Sequence, residues 1–430
     1  HTGDAFDYDG FGHTAPHQDS GTLPVHWRDA SGNPAFSSIE GITSPPEDAL
    51  VWPLEFQKDA YYRRQGVTDG DGVIGDFSSL KQFRTDNVDL ENALIRAYQY
   101  VIARFDCDGF RIDTLRYLQP PLPLIFGNSM REYALSIGKK NFFTFGEVFD
   151  NNAEEDIAKF IGRNTNADGD IVGVDAALDF PLFFQAKAVL KGFAAPQAMA
   201  DMYALRKTVE QQVVSSHGEA SRFFVTFLDN HDSKARFYYV DPANPDALDD
   251  QLTAAVACLF SLQGIPCVYY GTEQQLHGND PNGQIDELCR EALWGKPGTP
   301  FDESNPFYVA IQKIAQARAS QPALRYGRQY FRQVSGDGTD FAISTTAPGV
   351  VAFSRILNDE EVLVVVNVAD AAIDLHVIVD AVLQPVGTVF KVVCSNQNAP
   401  TAPDAVEDHS GAHAVRVHLK GREAQILATS

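Results

Sequence analysis

Residues 90–113 read LENALIRAYQYVIARFDCDGFRID, and two periodicities follow each other within them. Leu90, Ala93, Leu94, Ala97, Val101 and Phe105 recur at the three- and four-residue spacing of one helix face. After Cys107 the pattern changes to a short apolar run that ends on polar residues, which reads as a strand finishing at Asp113. The same rhythm returns outward along the chain. MREYALSIGKK (130–140) leads into FFTFGEVF (142–149); DAALDFPLFF (175–184) and ASRFFVTFLDNHD (220–232) follow; QLTAAVACLFSLQG (251–264) leads into IPCVYYGTE (265–273). Five strands, each fed by a helix, predict a parallel α/β architecture with polar residues collected at the strand C-terminal ends.

The rhythm breaks on both sides of this core. After the helical PFYVAIQKIAQARASQ (306–321), residues 328–430 hold short β-branched runs: FAISTT, VVAFSRI, VLVVVNVA, LHVIVD, TVFKVV and AVRVHL. Gly, Asp, Asn and Pro separate them, and they predict an antiparallel β domain. Residues 1–83 are rich in Gly, Asp, His, Pro and aromatics with little periodicity, the pattern of a loop-dominated insertion. Trp27, Trp52, Tyr61 and Tyr62 lie there, with a small satellite core and sugar stacking as the two readings. The expected domains are 1–83, 84–327 and 328–430.

Composition narrows the partners. The 430 residues carry 34 basic and 57 acidic side chains, net −23, which argues against nucleic acid and against an anionic membrane surface. Apolar stretches such as EVLVVVNVA fall well short of the roughly 20 residues that span a bilayer. The chain does not begin with Met, so the compartment is not readable from it, a secreted or periplasmic location being favoured. The cysteines at 107, 258, 267, 289 and 394 show no metal spacing, and Cys107, Cys258 and Cys267 read as buried free thiols.

Three strand ends carry acids: Asp113, Glu147 and Asp232. Acids placed together at low dielectric raise one another's pKa values unless they are paired or used. Such a set suits glycosidic bond cleavage, in which one carboxylate attacks the anomeric carbon and a protonated one serves the leaving oxygen. Arg111 lies two residues before Asp113, on the same side of its strand, and could hold that acid ionised; His231 could donate to a sugar hydroxyl.

GFRIDTLRY, GEVF and FLDNHD resemble the fourth-, fifth- and seventh-strand motifs of the α-amylase family, glycoside hydrolase family 13. ALDFPLFF and GIPCVYYGTEQ are similar to its sixth and eighth strands, and the residues after 328 to its C-terminal β domain. The resemblance implies a (β/α)8 TIM barrel, with Asp113 as nucleophile beside Arg111 and Glu147 as general acid/base. It implies Asp232 as transition-state stabiliser and His231 as a substrate ligand. The implied reaction is hydrolysis of α-1,4-glucosidic bonds in starch-like glucans or maltooligosaccharides, with retention through a covalent glucosyl-enzyme. Transglycosylation or isomerisation by the same three carboxylates is the alternative, and a catalytically dead carbohydrate-binding barrel a further one. Arg116 and Tyr117 stand where many family members have Lys and His, so leaving-side binding by Arg116 is an open expectation.

Calcium is a candidate ion, and no organic cofactor is expected. In NTNADGDIVGVD (164–175), Asn164, Asn166, Asp168 and Asp170 alternate, Gly169 falls at the turn and Asp175 ends the twelve. This resembles an EF-hand-type loop, except that Asp replaces the closing Glu; a polar surface loop is the other reading. The resemblance also gives His1 a role, as the histidine that closes the family's third-strand motif and binds the sugar ring, with the insertion running from about Gly3 to Leu80. Strands 4–8 are thus expected in this chain, and strands 1–3 in a further segment of the intact protein. His13, His17 and His26 are then ordinary loop residues.

Overall fold

The protein is described by a computed structural model. It describes residues 82–118, 122–149, 173–210, 220–233, 235–278, 286–294 and 301–429, with short stretches at 6–8, 25–28, 34–36, 54–56, 58–62, 157 and 160–161. The chain divides into two compact units. The first spans His1–Phe149, Asp156–Ala177 and Gln212–His217; the second spans Asp150–Glu155, Leu178–Gln211 and Gly218–Ser430.

The first unit opens with three short strands, β1 (Phe6–Tyr8), β2 (Val25–Arg28) and β3 (Pro34–Phe36), which form an antiparallel sheet in that order. The expected loop-dominated insertion therefore contains a small sheet; three- and four-residue strands are too short to leave a period in the sequence. Helix α1 (Val88–Phe105) begins where Asn87 accepts from the Asp89 and Leu90 N–H groups at 3.0 and 3.2 Å. Asp89 and Glu91 add negative charge to its first turn, which favours this end of the helix dipole. It ends at Asp106, in the left-handed region at φ 55°, whose N–H returns to the Ile102 carbonyl.

Strand β4 (Gly109–Ile112) follows at once, then α2 (Leu122–Ser136), β5 (Phe143–Gly146) and β6 (Ala176–Leu178). β4 pairs in parallel with β5, Gly109 opposite Phe143 and Ile112 opposite Gly146; β5 pairs in parallel with β6, Phe145 opposite Ala176. Alternation along β4 sorts its side chains. Phe110 turns toward the helices, its ring 5.3 Å from Tyr98 of α1, 6.3 Å from Phe126 of α2 and 5.1 Å from Phe142. Buried Ile102, Met130 and Ala134 complete that core, which leaves Arg111 and Asp113 on the opposite side.

The second unit carries α3 (Phe180–Leu190), α4 (Gln197–Glu210), β7 (Phe224–Thr226), α5 (Asp249–Ser261) and β8 (Ile265–Pro266). β7 and β8 are parallel, with Val225 opposite Ile265. Two expectations need correction here. The run ALDFPLFF is strand only to Leu178; Asp179 accepts from the Leu182 N–H at 3.1 Å, Pro181 sits in the first turn, and the rest is helix α3. Cys267 is exposed rather than buried, because it follows a strand of only two residues, whereas Cys258 inside α5 is buried.

Helices α6 (Pro306–Ser320) and α7 (Pro322–Tyr326) lead into two antiparallel sheets, as the sequence predicts. One has the order β14 (Lys391–Ser395), β17 (Ala424–Ala428), β12 (Glu360–Asn367), β11 (Val350–Leu357), β9 (Arg328–Phe331). The other has the order β10 (Val334–Ser335), β13 (Ile373–Ile378), β16 (Ala412–Leu419), β15 (Glu407–His409). The continuous apolar run of β12 is explained by burial on both faces. Val362, Val364 and Val366 join a core with α3, α5 and α6, while Leu363 and Val365 join one with Leu375, Val377, Val415 and Val417 of the second sheet. FAISTT is not a strand; only Ala342 bridges, to Val334. Among the described residues no helix is long and apolar enough to cross a membrane.

Candidate active site

Strand β4 delivers Asp113 and strand β5 delivers Glu147, both within the first unit. The Glu147 N–H donates to the Ile112 carbonyl at 2.9 Å, which extends the ladder by one residue and fixes the two acids on adjacent strand ends. Arg111 joins them: its guanidinium donates to Asp113 and lies 3.3 Å from Glu147 Oε2. The two acids differ in surroundings. The Asp113 side chain is 67% exposed, that of Glu147 only 14%. Burial pushes the Glu147 carboxyl above the usual carboxylate range, against the pull of Arg111 and the Thr114 N–H. The charge of nearby Asp113 adds to the rise. One acid is therefore open to a reacting carbon, while its neighbour is biased toward holding a proton.

Backbone geometry supports this pair. Thr114 adopts φ 51°, left-handed and unusual for a β-branched residue, and its N–H points to Glu147 Oε2 at 3.3 Å. Gly146 precedes the glutamate, and a Cβ there would overlap the fully buried Leu115 side chain of the turn after β4. Gly146→Ala is therefore expected to displace Leu115 and with it the Asp113 turn, at a cost of about 1–3 kcal/mol. Denaturant unfolding of the variant checks the stability, and its kcat checks the registry of the two acids.

A cavity of about 260 Å³ opens beside β4. Its polar rim is Arg111, Asp113 and Gln82, but most of its wall is Leu94, Tyr98, Phe110 and Phe126, the helix-facing side of the strand. Only the rim has the chemistry of a sugar site.

In the second unit, Asp232 follows β7 and is itself held. Arg290 Nη2 donates to Asp232 Oδ1 at 2.9 Å, Arg290 Nε donates to the His231 carbonyl at 2.8 Å, and His231 Nε2 lies 3.1 Å from Asp232 Oδ2. Arg290 escaped the sequence reading, since it stands far from FLDNHD in a stretch without a motif. Trp294, four residues on, escaped too; its ring is 74% exposed and meets Phe301 edge-on at 5.3 Å. Asp229, the other acid of FLDNHD, is buried and accepts from the Phe237 N–H at 2.8 Å, a structural role.

Arg116 donates to the Phe149 carbonyl at 3.2 Å, bracing the turn after β4 against the chain beyond Glu147. Tyr61 and Tyr62 are buried, the latter stacked on Phe83 at 4.9 Å and donating to the Phe56 carbonyl, so the satellite-core reading applies to them. Asp175 is nearly inaccessible: Oδ2 accepts from the Thr144 N–H and hydroxyl at 2.9 and 3.0 Å, and Oδ1 accepts from Arg131 at 3.3 Å. With both oxygens committed to β5 and α2, it does not fit a calcium ligand. Asn164, Asn166, Asp168 and Asp170 lie outside the described residues, as do His1 and the side chains of Trp27 and Trp52. The Tyr117 carbonyl accepts from the Gln82 amide at 2.9 Å.

A parallel α/β core with an Asp–Glu pair at neighbouring strand ends, followed by two antiparallel sheets, is the arrangement that the family resemblance implies. The family model for the α-amylase catalytic domain matches residues 5–296, and the chain belongs to the α-amylase family. It is 26% identical over 328 residues to an α-amylase of Streptomyces lividans, a match covering 71% of this chain and 33% of that protein. It is 27% identical over 281 residues to a cyclomaltodextrin glucanotransferase of Thermoanaerobacterium thermosulfurigenes, covering 64% and 34%. The chain thus spans about a third of the length of these relatives. The fold matches the α-amylase of Geobacillus thermoleovorans crystallised with acarbose, with TM-score 0.58, 21% identity, and coverage of 81% of this chain and 66% of that one.

Proposed function

We propose that the protein cleaves α-1,4-glucosidic bonds of starch-like glucans or maltooligosaccharides with retention of anomeric configuration. The observation that carries this reading is the Asp113–Glu147 pair, joined by Arg111, with the first acid exposed and the second desolvated. Retention needs the two carboxyl groups at about 5 Å, and inversion needs room for a water between them; two acids on adjacent strand ends that both reach the Arg111 guanidinium support the former.

Asp113 attacks the anomeric carbon while Glu147 gives its proton to the departing oxygen. Water then resolves the glucosyl ester, with Glu147 now acting as base. Arg111 keeps Asp113 oriented and its lone pairs available. Asp232 carries the transition-state role that the family resemblance implies, braced by Arg290, and His231 donates to a substrate hydroxyl. Trp294 offers an exposed ring face for a sugar.

Similarity to both a hydrolase and a glucanotransferase keeps transfer as the second reading, in which a sugar hydroxyl replaces water. Incubation with maltoheptaose decides: hydrolysis yields shorter oligosaccharides, first released as the α-anomer by proton NMR. Products longer than the substrate indicate transfer, and first-formed β-anomer contradicts retention. The proton on Glu147 also sets a pH dependence. Because burial raises its pKa, kcat/KM is expected to hold to higher pH than an exposed glutamic acid would allow, and to fall as pH rises through that raised value. An alkaline limb that does not move when Glu147 is replaced by Asp would assign the proton to another group.

A further inference from the structure

We propose that the outer face of the four-stranded C-terminal sheet holds a site for one divalent d-block cation, zinc above all, formed by His376, Glu407 and His409. One ligand atom from each of the three residues lies within 4.8 Å of the others. Glu407 and His409 stand two apart on β15 and so share a face, and His376 of β13 reaches the same face from across β16. The two imidazole centroids are 4.7 Å apart, and His409 Nε2 is 3.9 Å from Glu407 Oε2.

The protonation pattern points the same way. His409 Nδ1 lies 2.9 Å from the Gly338 carbonyl, which can only accept, so Nδ1 carries a hydrogen and, in the neutral ring, Nε2 is the atom with a lone pair. That Nε2, like His376 Nδ1, is shielded from solvent and has no hydrogen-bond partner. Two buried, unpartnered imidazole nitrogens beside a carboxylate are costly without a ligand. A histidine tied through its second nitrogen to a backbone carbonyl has the orientation that metal-binding imidazoles use.

The loop that supplies the carbonyl is braced. Gly338 sits at φ 77°, a side chain there would crowd the His409 ring, and its N–H donates to Ser335 Oγ at 3.0 Å. Asp337 Oδ1 accepts from the Thr339 N–H at 2.9 Å. Tetrahedral zinc at about 2.0–2.1 Å from each ligand sets them about 3.4 Å apart, so small side-chain rotations close the triangle and leave a fourth position for water. Two imidazoles and one carboxylate suit zinc, and suit calcium or magnesium poorly. Arg416 opposes a cation but is drawn off by Asp374, 3.6 Å away.

The test is zinc titration of the full chain against a chromophoric chelator. The expected result is one zinc per chain, with affinity lowered at least about tenfold in His376→Ala, His409→Ala and Glu407→Gln. Glu407 is 66% exposed, so Glu407→Gln should keep the zinc-free melting temperature and separates ligation from folding. Cys267→Ser should bind zinc as the parent does. No zinc binding by the parent chain, equal affinity in all three ligand variants, or loss on removing Cys267 would overturn the site.

Discussion

Glu147→Gln is expected to lower kcat on maltoheptaose by about 10³-fold or more, because glutamine cannot give a proton to the departing sugar oxygen. The side chain is mostly buried beside Thr114 and Arg111, and the substitution keeps its volume, so folding should survive. With an α-glycosyl fluoride, whose leaving group needs no proton, formation of the ester should be spared while its hydrolysis stays slow. Azide should restore turnover by replacing the water that Glu147 would otherwise activate. A variant that retains near-parental kcat on maltoheptaose would remove Glu147 from the chemistry.

Arg206→Ala is expected to cost about 3–5 kcal/mol of stability, the largest effect of any substitution away from the catalytic pair. Arg206 and Asp179 are 1% and 0% exposed, and they form a two-pronged ion pair at 2.8 and 2.6 Å. The guanidinium also lies 4.0 Å over the Phe224 ring of β7, and Asp179 caps helix α3. Removing the arginine leaves a buried carboxylate without its charge partner. Arg206→Leu combined with Asp179→Asn keeps the cap acceptor and removes both charges, so it should recover part of the loss. Urea unfolding of the single and double variants measures this; an Arg206→Ala protein within about 1 kcal/mol of the parent would show that the pair is not a strut of this unit.

That pair also explains how far the sequence could be read. Acids follow or flank most of the parallel strands: Asp113, Glu147, Asp175, Asp179, Asp229 and Asp232. Position alone does not separate chemistry from architecture. Asp175 clamps Thr144 and Arg131, Asp179 pairs with Arg206, and Asp229 accepts from Phe237, all three buried. The exposed Asp113 and Asp232 and the partly desolvated Glu147 are those that the motifs singled out. The α/β rhythm was legible because α1 and α2 bury one face at helical spacing, α5 is a largely apolar run buried from Leu252 to Leu259, and the strands end on polar residues. Strand boundaries were less so, since β6, β7 and β8 are two or three residues long and a helix cap at Asp179 looks like strand continuation. Arg290, Thr114 and the outer-face histidines depend on long-range contacts or backbone angles, which leave no local pattern.

The central claim is a covalent glucosyl ester on Asp113, and it can be observed directly. Glu147→Gln treated with an α-maltosyl fluoride should form that ester and then stall, because no base activates water for the second step. Intact-mass spectrometry should show one added maltosyl unit, and peptide mapping should place it on the fragment containing Asp113. Asp113→Asn in the same background should stay unlabelled. A stable adduct on another carboxylate, or turnover of the fluoride to β-maltose with no adduct, would contradict the account.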